Sequence, residues 1–135
     1  MYSVTTKAEF DAAHFLAGYP GKCKNLHGHR WSIEATLKGE ELDELGMLVD
    51  FTDIKRDLKE ICDNFDHSLI MKKDSLKPAT LEALMDEGFK INIMDFMPTA
   101  EGFAKFFFEE LEKKNYPIVE IKVYETPKNY AIYTK

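Results

Sequence analysis

Strict alternation opens the chain. Tyr2, Val4, Thr6, Ala8 and Phe10 fall on one parity, and Ser3, Thr5, Lys7 and Glu9 on the other. This is the two-residue period of a strand with one face turned to a core. His14 keeps the Phe10 parity if the strand runs that far. Gly18-Tyr19-Pro20-Gly21 marks a loop. A second alternation runs from His27 to Lys38, with His27, His29, Trp31, Ile33, Ala35 and Leu37 on one face and Arg30, Ser32, Glu34, Thr36 and Lys38 on the other. Gly39-Glu40-Glu41 then begins an acidic connection.

The period changes after Asp50. Ile54, Leu58, Ile61, Cys62 and Phe65 recur at helical spacing, Asp50 suits the N-cap, and Asp53 complements the helix dipole in the first turn. The stretch from Ser68 to Met97 is less regular, with a short helix predicted over residues 78–87 and stopped by Gly88. Thr99 caps a further helix whose core face reads Phe103, Phe106, Phe107 and Leu111. Two last strands, 118–125 and 130–133, are joined as a hairpin through Thr126-Pro127-Lys128-Asn129. Val119, Ile121, Val123 and Glu125 share a parity, so a carboxylate ends an otherwise apolar row. The order predicts one α+β domain over residues 1–135, with helices on one face of an antiparallel four-stranded sheet.

Composition narrows the function. A chain of 135 residues with 44% apolar and 31% charged residues is ordinary for a folded domain with a sizeable core. The net charge of -6 without a basic block argues against a nucleic-acid partner. No apolar run approaches membrane-helix length and the first residues lack a secretory h-region, so a cytoplasmic protein is expected. Cys23 and Cys62 are then read as free thiols, Cys62 as a packing residue on the first helix.

Chemistry concentrates in one region. Three of the four histidines (His14, His27 and His29) and Cys23 fall within residues 14–29. His27 and His29 leave the same strand face roughly 6–7 Å apart at Cα, close enough to converge on one ion. His14 can join them from the adjacent strand, and three ligands with an open position is how zinc is held when it does chemistry. Cys23 either closes the site as a fourth ligand or, with its thiol acidified by the cation, stands beside it as base or nucleophile. Asp66-His67 is either a capping pair or a proton relay in which the carboxylate fixes the imidazole tautomer. Glu125 is either a strand-end surface group or the partner of a ligand presenting paired N–H donors. Glu101 reads as a dipole-favourable carboxylate. Lys22, Lys24 and Arg30 are either solvated charges or contacts for an anionic substrate.

In this order, Phe10-Asp11-Ala12-Ala13-His14, Cys23-x-x-x-His27-Gly28-His29, Val49-Asp50-Phe51, Asp66-His67, Pro98-Thr99-Ala100-Glu101 and Tyr124-Glu125-Thr126 resemble the 6-pyruvoyltetrahydropterin synthase superfamily. Within it, the three-residue gap between Cys23 and His27 is most similar to the 6-carboxy-5,6,7,8-tetrahydropterin synthase type. The resemblance implies a T-fold (ββααββ, here with an added short helix) and homo-oligomers built from trimers, typically hexamers, with active sites at subunit interfaces. It implies Zn2+ on His14, His27 and His29, Cys23 as base with Asp66 and His67 as its relay, and Glu125, Thr99 and Glu101 around the pterin. The implied reaction converts 7,8-dihydroneopterin triphosphate to 6-carboxytetrahydropterin with loss of triphosphate and acetaldehyde, on the route to queuosine. The alternatives are triphosphate elimination without side-chain cleavage, as in the pyruvoyl synthases, or a non-catalytic zinc- or pterin-binding module.

Overall fold

The computed structural model describes residues 1–135. The two long alternating segments form β1 (Tyr2–His14) and β2 (His27–Gly39), an antiparallel pair in unbroken register from Tyr2↔Gly39 to His14↔His27. β2 continues to α1 (Phe51–Phe65), β3 (Ser68–Lys72), α2 (Pro78–Asp86), β4 (Ile91–Met94), α3 (Ala100–Lys113), β5 (Ile118–Thr126) and β6 (Asn129–Thr134). The sheet order is β4-β3-β1-β2-β5-β6.

The α+β T-fold expected from the sequence is present, and β1, β2, β5 and β6 form its antiparallel body. The sheet nonetheless has six strands rather than four, because the stretch after α1 adds β3 and β4, which run parallel to β1 and to each other. Parallel neighbours need a crossover, and α2 supplies it.

The main core lies between the sheet and α1 and α3. The inward row of β2 (Trp31, Ile33, Ala35, Leu37) meets Ile54, Leu58 and Cys62 of α1 and Phe103, Phe107 and Leu111 of α3, all within one buried cluster. Phe10 is a hub, with its ring 5.5 Å from Phe65, 5.9 Å from Phe103 and 6.2 Å from both Trp31 and Phe107. Each such side chain contributes on the order of 1.5–3 kcal/mol by leaving water. Burial also pushes the Cys62 thiol up to about 12, in keeping with a packing role.

Helix α2 departs from the expectation that all helices share one face. Its Leu84 lines a cavity together with Asp11, Ala13, Gly28 and Arg30, the outward positions of β1 and β2. Met71 of β3 is fully buried yet stands outside the main cluster. α2 therefore covers the opposite face of β3, and β3 is buried on both sides, which explains its lack of alternation.

The caps follow the sequence. The Asp50 side chain accepts from the Thr52 N–H at the start of α1, and Thr99 Oγ1 accepts from the Gly102 N–H at the start of α3. No helix is long and apolar enough to cross a membrane.

Candidate metal centre

The inward row of β1 and β2 changes character at one end. Beyond Phe10 and Trp31 it continues as His14, His27 and His29, with His14 directly opposite His27 and His29 opposite Ala12. Pairing in this register sets the imidazoles side by side, with centroids 4.6 Å apart for His14–His27, 4.9 Å for His27–His29 and 5.2 Å for His14–His29. Trp31 forms the floor, its ring edge-on at 5.0 Å from His14 and 5.6 Å from His29.

Glu125 completes the group. One ligand atom from each of His14, His27, His29 and Glu125 lies within 4.8 Å of the others. Glu125 Oε1 is 3.0 Å from His29 Nε2 and 3.6 Å from His14 Nε2. It follows Ile121 and Val123 on the inward row of β5, and β5–β6 pairing passes from Tyr124↔Tyr130 to Thr126↔Asn129, leaving Glu125 as the extra residue of a bulge. A second bulge in β5, opposite Thr36/Leu37, makes Ile118 the buried residue in place of Val119.

The hydrogen bonds of the rings favour a cation. His14 Nδ1 donates to the Pro98 carbonyl at 2.7 Å, and His27 Nδ1 donates to the Asn25 carbonyl at 2.7 Å. Carbonyls only accept, so both protons sit on Nδ1 and both Nε2 atoms present lone pairs. These face each other at 3.1 Å. A proton could bridge them, but burial holds His14 below its usual range, as it does His29. His29 Nε2 is buried, and Glu125 Oε1 stands 3.0 Å from it. Three convergent nitrogens, two of them aimed by carbonyls behind their rings, suit a divalent metal ion.

The other sequence-derived residues stand apart from this group. Cys23 lies half-exposed in a 3-10 turn, Lys22–Lys24, where its carbonyl accepts from the Leu16 N–H. It is not among the four clustered ligands. Asp66 and His67 do pair, His67 Nδ1 donating to Asp66 Oδ2 at 2.8 Å. Asp66 Oδ1 accepts from the Asp11 N–H at 2.9 Å, and these two donors hold its carboxyl below the usual carboxylate range. His67 is 80% exposed and lines the outward-face cavity of about 670 Å³ with Asp11, Arg30 and Lys90. The histidine cluster continues the inward row of β1 and β2 and the dyad lies on the opposite sheet face, with His29 alone of the cluster also bordering the outward cavity.

Thr99 spends its hydroxyl on the cap of α3, and Glu101 is exposed in the first turn of that helix, away from the cluster. Arg30 is committed to Asp11 through two hydrogen bonds of 2.9 and 3.1 Å. Beside Glu125 a polar cavity of about 550 Å³ opens, lined by Ser32, Tyr124, Thr126 and the backbone at Gly28. From the sequence, Glu125 ends the inward row of β5 as either a strand-end surface group or a ligand's partner; the structure sets its carboxylate among the histidines.

Residues 3–135 match the model of the family described as 6-pyruvoyl tetrahydropterin synthase. The chain is 39% identical to the 6-carboxy-5,6,7,8-tetrahydropterin synthase of Rickettsia felis, over 94% of this chain and 96% of that one. It is 31% identical to the Haemophilus influenzae protein of the same name, over 98% and 99% of the two chains. Among solved structures, an uncharacterized Wolinella succinogenes protein superposes with a TM-score of 0.85 at 20% identity, covering 99% of this chain and 98% of that one. The Caenorhabditis elegans 6-pyruvoyl tetrahydropterin synthase gives 0.74 at 23%, covering 99% and 95%. Both structural likenesses concern the fold.

Proposed function

Because the chain belongs to the 6-pyruvoyl tetrahydropterin synthase family, we propose that it is a cytoplasmic, zinc-dependent 6-carboxy-5,6,7,8-tetrahydropterin synthase. It takes 7,8-dihydroneopterin triphosphate and releases triphosphate and acetaldehyde, a carbon–carbon lyase step toward queuosine. The observation that carries this reading is the convergent three-histidine group, in a chain that aligns end to end with relatives of that name.

His14, His27 and His29 would hold the zinc. Bound there, the ion would supply Lewis acidity, polarising the side-chain hydroxyls of the substrate and acidifying the adjacent C–H. Cys23 acts as the base, its turn standing three residues before the first β2 histidine. Asp66 orients His67 through Oδ2, fixing which ring nitrogen faces outward to exchange protons. Glu125, 30% exposed at the edge of the polar cavity, accepts the N–H pair of the amino-pyrimidine edge. Thr99 and Glu101 border the pterin.

The placement of cluster and dyad on opposite sheet faces supports an interfacial site. One copy supplies the metal and Cys23, and a second copy supplies Asp66 and His67. A trimer-based homo-oligomer, doubled to a hexamer, meets that need and covers the exposed β6 edge, where Tyr130 and Ile132 are about half exposed.

The test is product analysis. Zinc-loaded protein given 7,8-dihydroneopterin triphosphate should yield acetaldehyde and a 6-carboxypterin by mass spectrometry. Intact, loaded protein that releases no acetaldehyde refutes the assignment, and retention of all side-chain carbons identifies a pyruvoyl synthase instead.

A further inference from the structure

The segment from β3 to β4 meets the end of α1 at one place. Helix α1 ends at Phe65, and its last carbonyls have no partners within the helix. The Asp66 N–H meets the Cys62 carbonyl, and side chains from beyond the helix meet those of Asp63, Asn64 and Phe65. Lys90 Nζ donates to the Asp63 carbonyl at 2.9 Å and to the Asp66 carbonyl at 3.0 Å. Asn92 Nδ2 donates to the Asn64 carbonyl and to Ser68 Oγ, both at 2.9 Å, and Ser68 Oγ donates to the Phe65 carbonyl at 2.6 Å. The Leu69 N–H adds a bond to the Lys90 carbonyl at 3.0 Å.

The turn so enclosed is Asp66-His67. His67 has φ 54°, in the left-handed region that costs a non-glycine residue on the order of 1 kcal/mol or more unless its surroundings hold it. From the sheet side, β1 holds it through the Asp11 N–H to Asp66 Oδ1 and the His67 N–H to the Asp11 carbonyl, at 2.9 and 2.6 Å. From the other side Lys90 Nζ reaches the Asp66 carbonyl, while Asn92 and Ser68 hold the preceding Asn64 and Phe65 carbonyls.

We propose that Lys90 and Asn92 are positioning residues: the β3–α2–β4 unit carries them to the end of α1, where they fix the geometry of the Asp66–His67 pair. The inference rests on the relay assigned to that pair above. It gives the crossover a role in the reaction although α2 itself contributes no buried residue. Lys90 is exposed at its side chain, so its replacement leaves the core untouched.

Lys90→Met keeps the apolar stem and removes both donated bonds. Amide hydrogen exchange on the full zinc-loaded oligomer should show protection lost at Asp11 and His67 and retained at Leu58 and Ile61. In the product assay kcat should fall roughly tenfold to a hundredfold, the size of effect expected when a catalytic group is misplaced by about 1 Å, with KM and zinc content unchanged. Lys90→Arg should restore both readouts, and Asn92→Leu should reproduce the loss more weakly. Unchanged protection at Asp11 and His67 in Lys90→Met overturns the proposal whatever the kinetics. Lost protection with full kcat, while Asp66→Asn is inactive, overturns the catalytic part. If Asp66→Asn is also fully active, the relay reading fails, and Lys90 is then a helix cap alone.

Discussion

The Nε2 atoms of His14 and His27 stand 3.1 Å apart, each ring turned toward the other by a carbonyl 2.7 Å behind it. Pro98 does this for His14 and Asn25 for His27. Neither carbonyl comes from the strands that carry the rings, so the loop before β2 and the entry to α3 jointly aim the pair.

Removing one of these rings should release the metal. His27→Ala is expected to leave the chain folded and zinc-poor, because the side chain is only half-buried at the cluster mouth. Metal analysis after gel filtration checks the loss. Chelation of the native protein should lower its unfolding midpoint, since a ligand at a hundredfold its Kd stabilises by about 2.7 kcal/mol. A midpoint indifferent to chelator would mean that no metal is held.

Cys23→Ala separates the two roles open to the thiol. Cys23 stands outside the ligand group, so the variant should keep its full complement of zinc and lose turnover. A base contributes typically 10²–10⁴-fold, which sets the expected drop in kcat at about that scale. Loss of zinc along with activity would make the thiol a ligand.

Gly102 is in the first turn of α3, where Ala is ordinarily worth about 1 kcal/mol more than Gly. Here the sign should invert. A Cβ at this position would fall against the Met97 carbonyl and 2.8 Å from the Phe96 ring. Gly102→Ala should therefore cost about 1–3 kcal/mol in a urea titration, the scale of overpacking. Because Pro98 lies between, weakened zinc binding through His14 should accompany it.

Tyr116 donates its hydroxyl to Asp57 Oδ2 at 2.6 Å, tying α1 to the turn after α3. That bond is the main reason the Asp57 carboxyl titrates below its ordinary 3.8. A carboxyl depressed in the folded state binds fewer protons there than in the unfolded chain. Its contribution is thus present above about pH 4 and lost as the pH falls further. Tyr116→Phe should cost about 1 kcal/mol at neutral pH and show a shallower loss of stability as the pH falls below about 4. Equal acid slopes for variant and parent would exclude the link.

The six long elements were legible because each carries a full period of its own. β1 and β2 alternate over 13 residues each, α1 and α3 repeat apolar positions at three and four, and Asp50 and Thr99 mark their starts. β3 and β4 were not, for a physical reason. At five and four residues they are too short to show a period, and β3 is buried on both faces because α2 covers the second. Within the site, the histidines could be read from parity alone, since His14↔His27 register follows from two unbroken strands. Parity likewise turned Glu125 to the inward face but did not show which strand end it would meet, since that depends on the β2–β5 register. The separation of the Asp66–His67 pair from the cluster depends on which sheet face the turn after α1 reaches, and no local pattern encodes that.

Trp31 is the chain's one tryptophan, fully buried, with imidazoles edge-on at 5.0 and 5.6 Å. An indole so placed emits according to what its neighbours carry, whether proton, metal or nothing. The protein therefore holds an optical gauge at the floor of the cluster. Filling and emptying of the site can be timed by stopped-flow emission, without a label and without substrate.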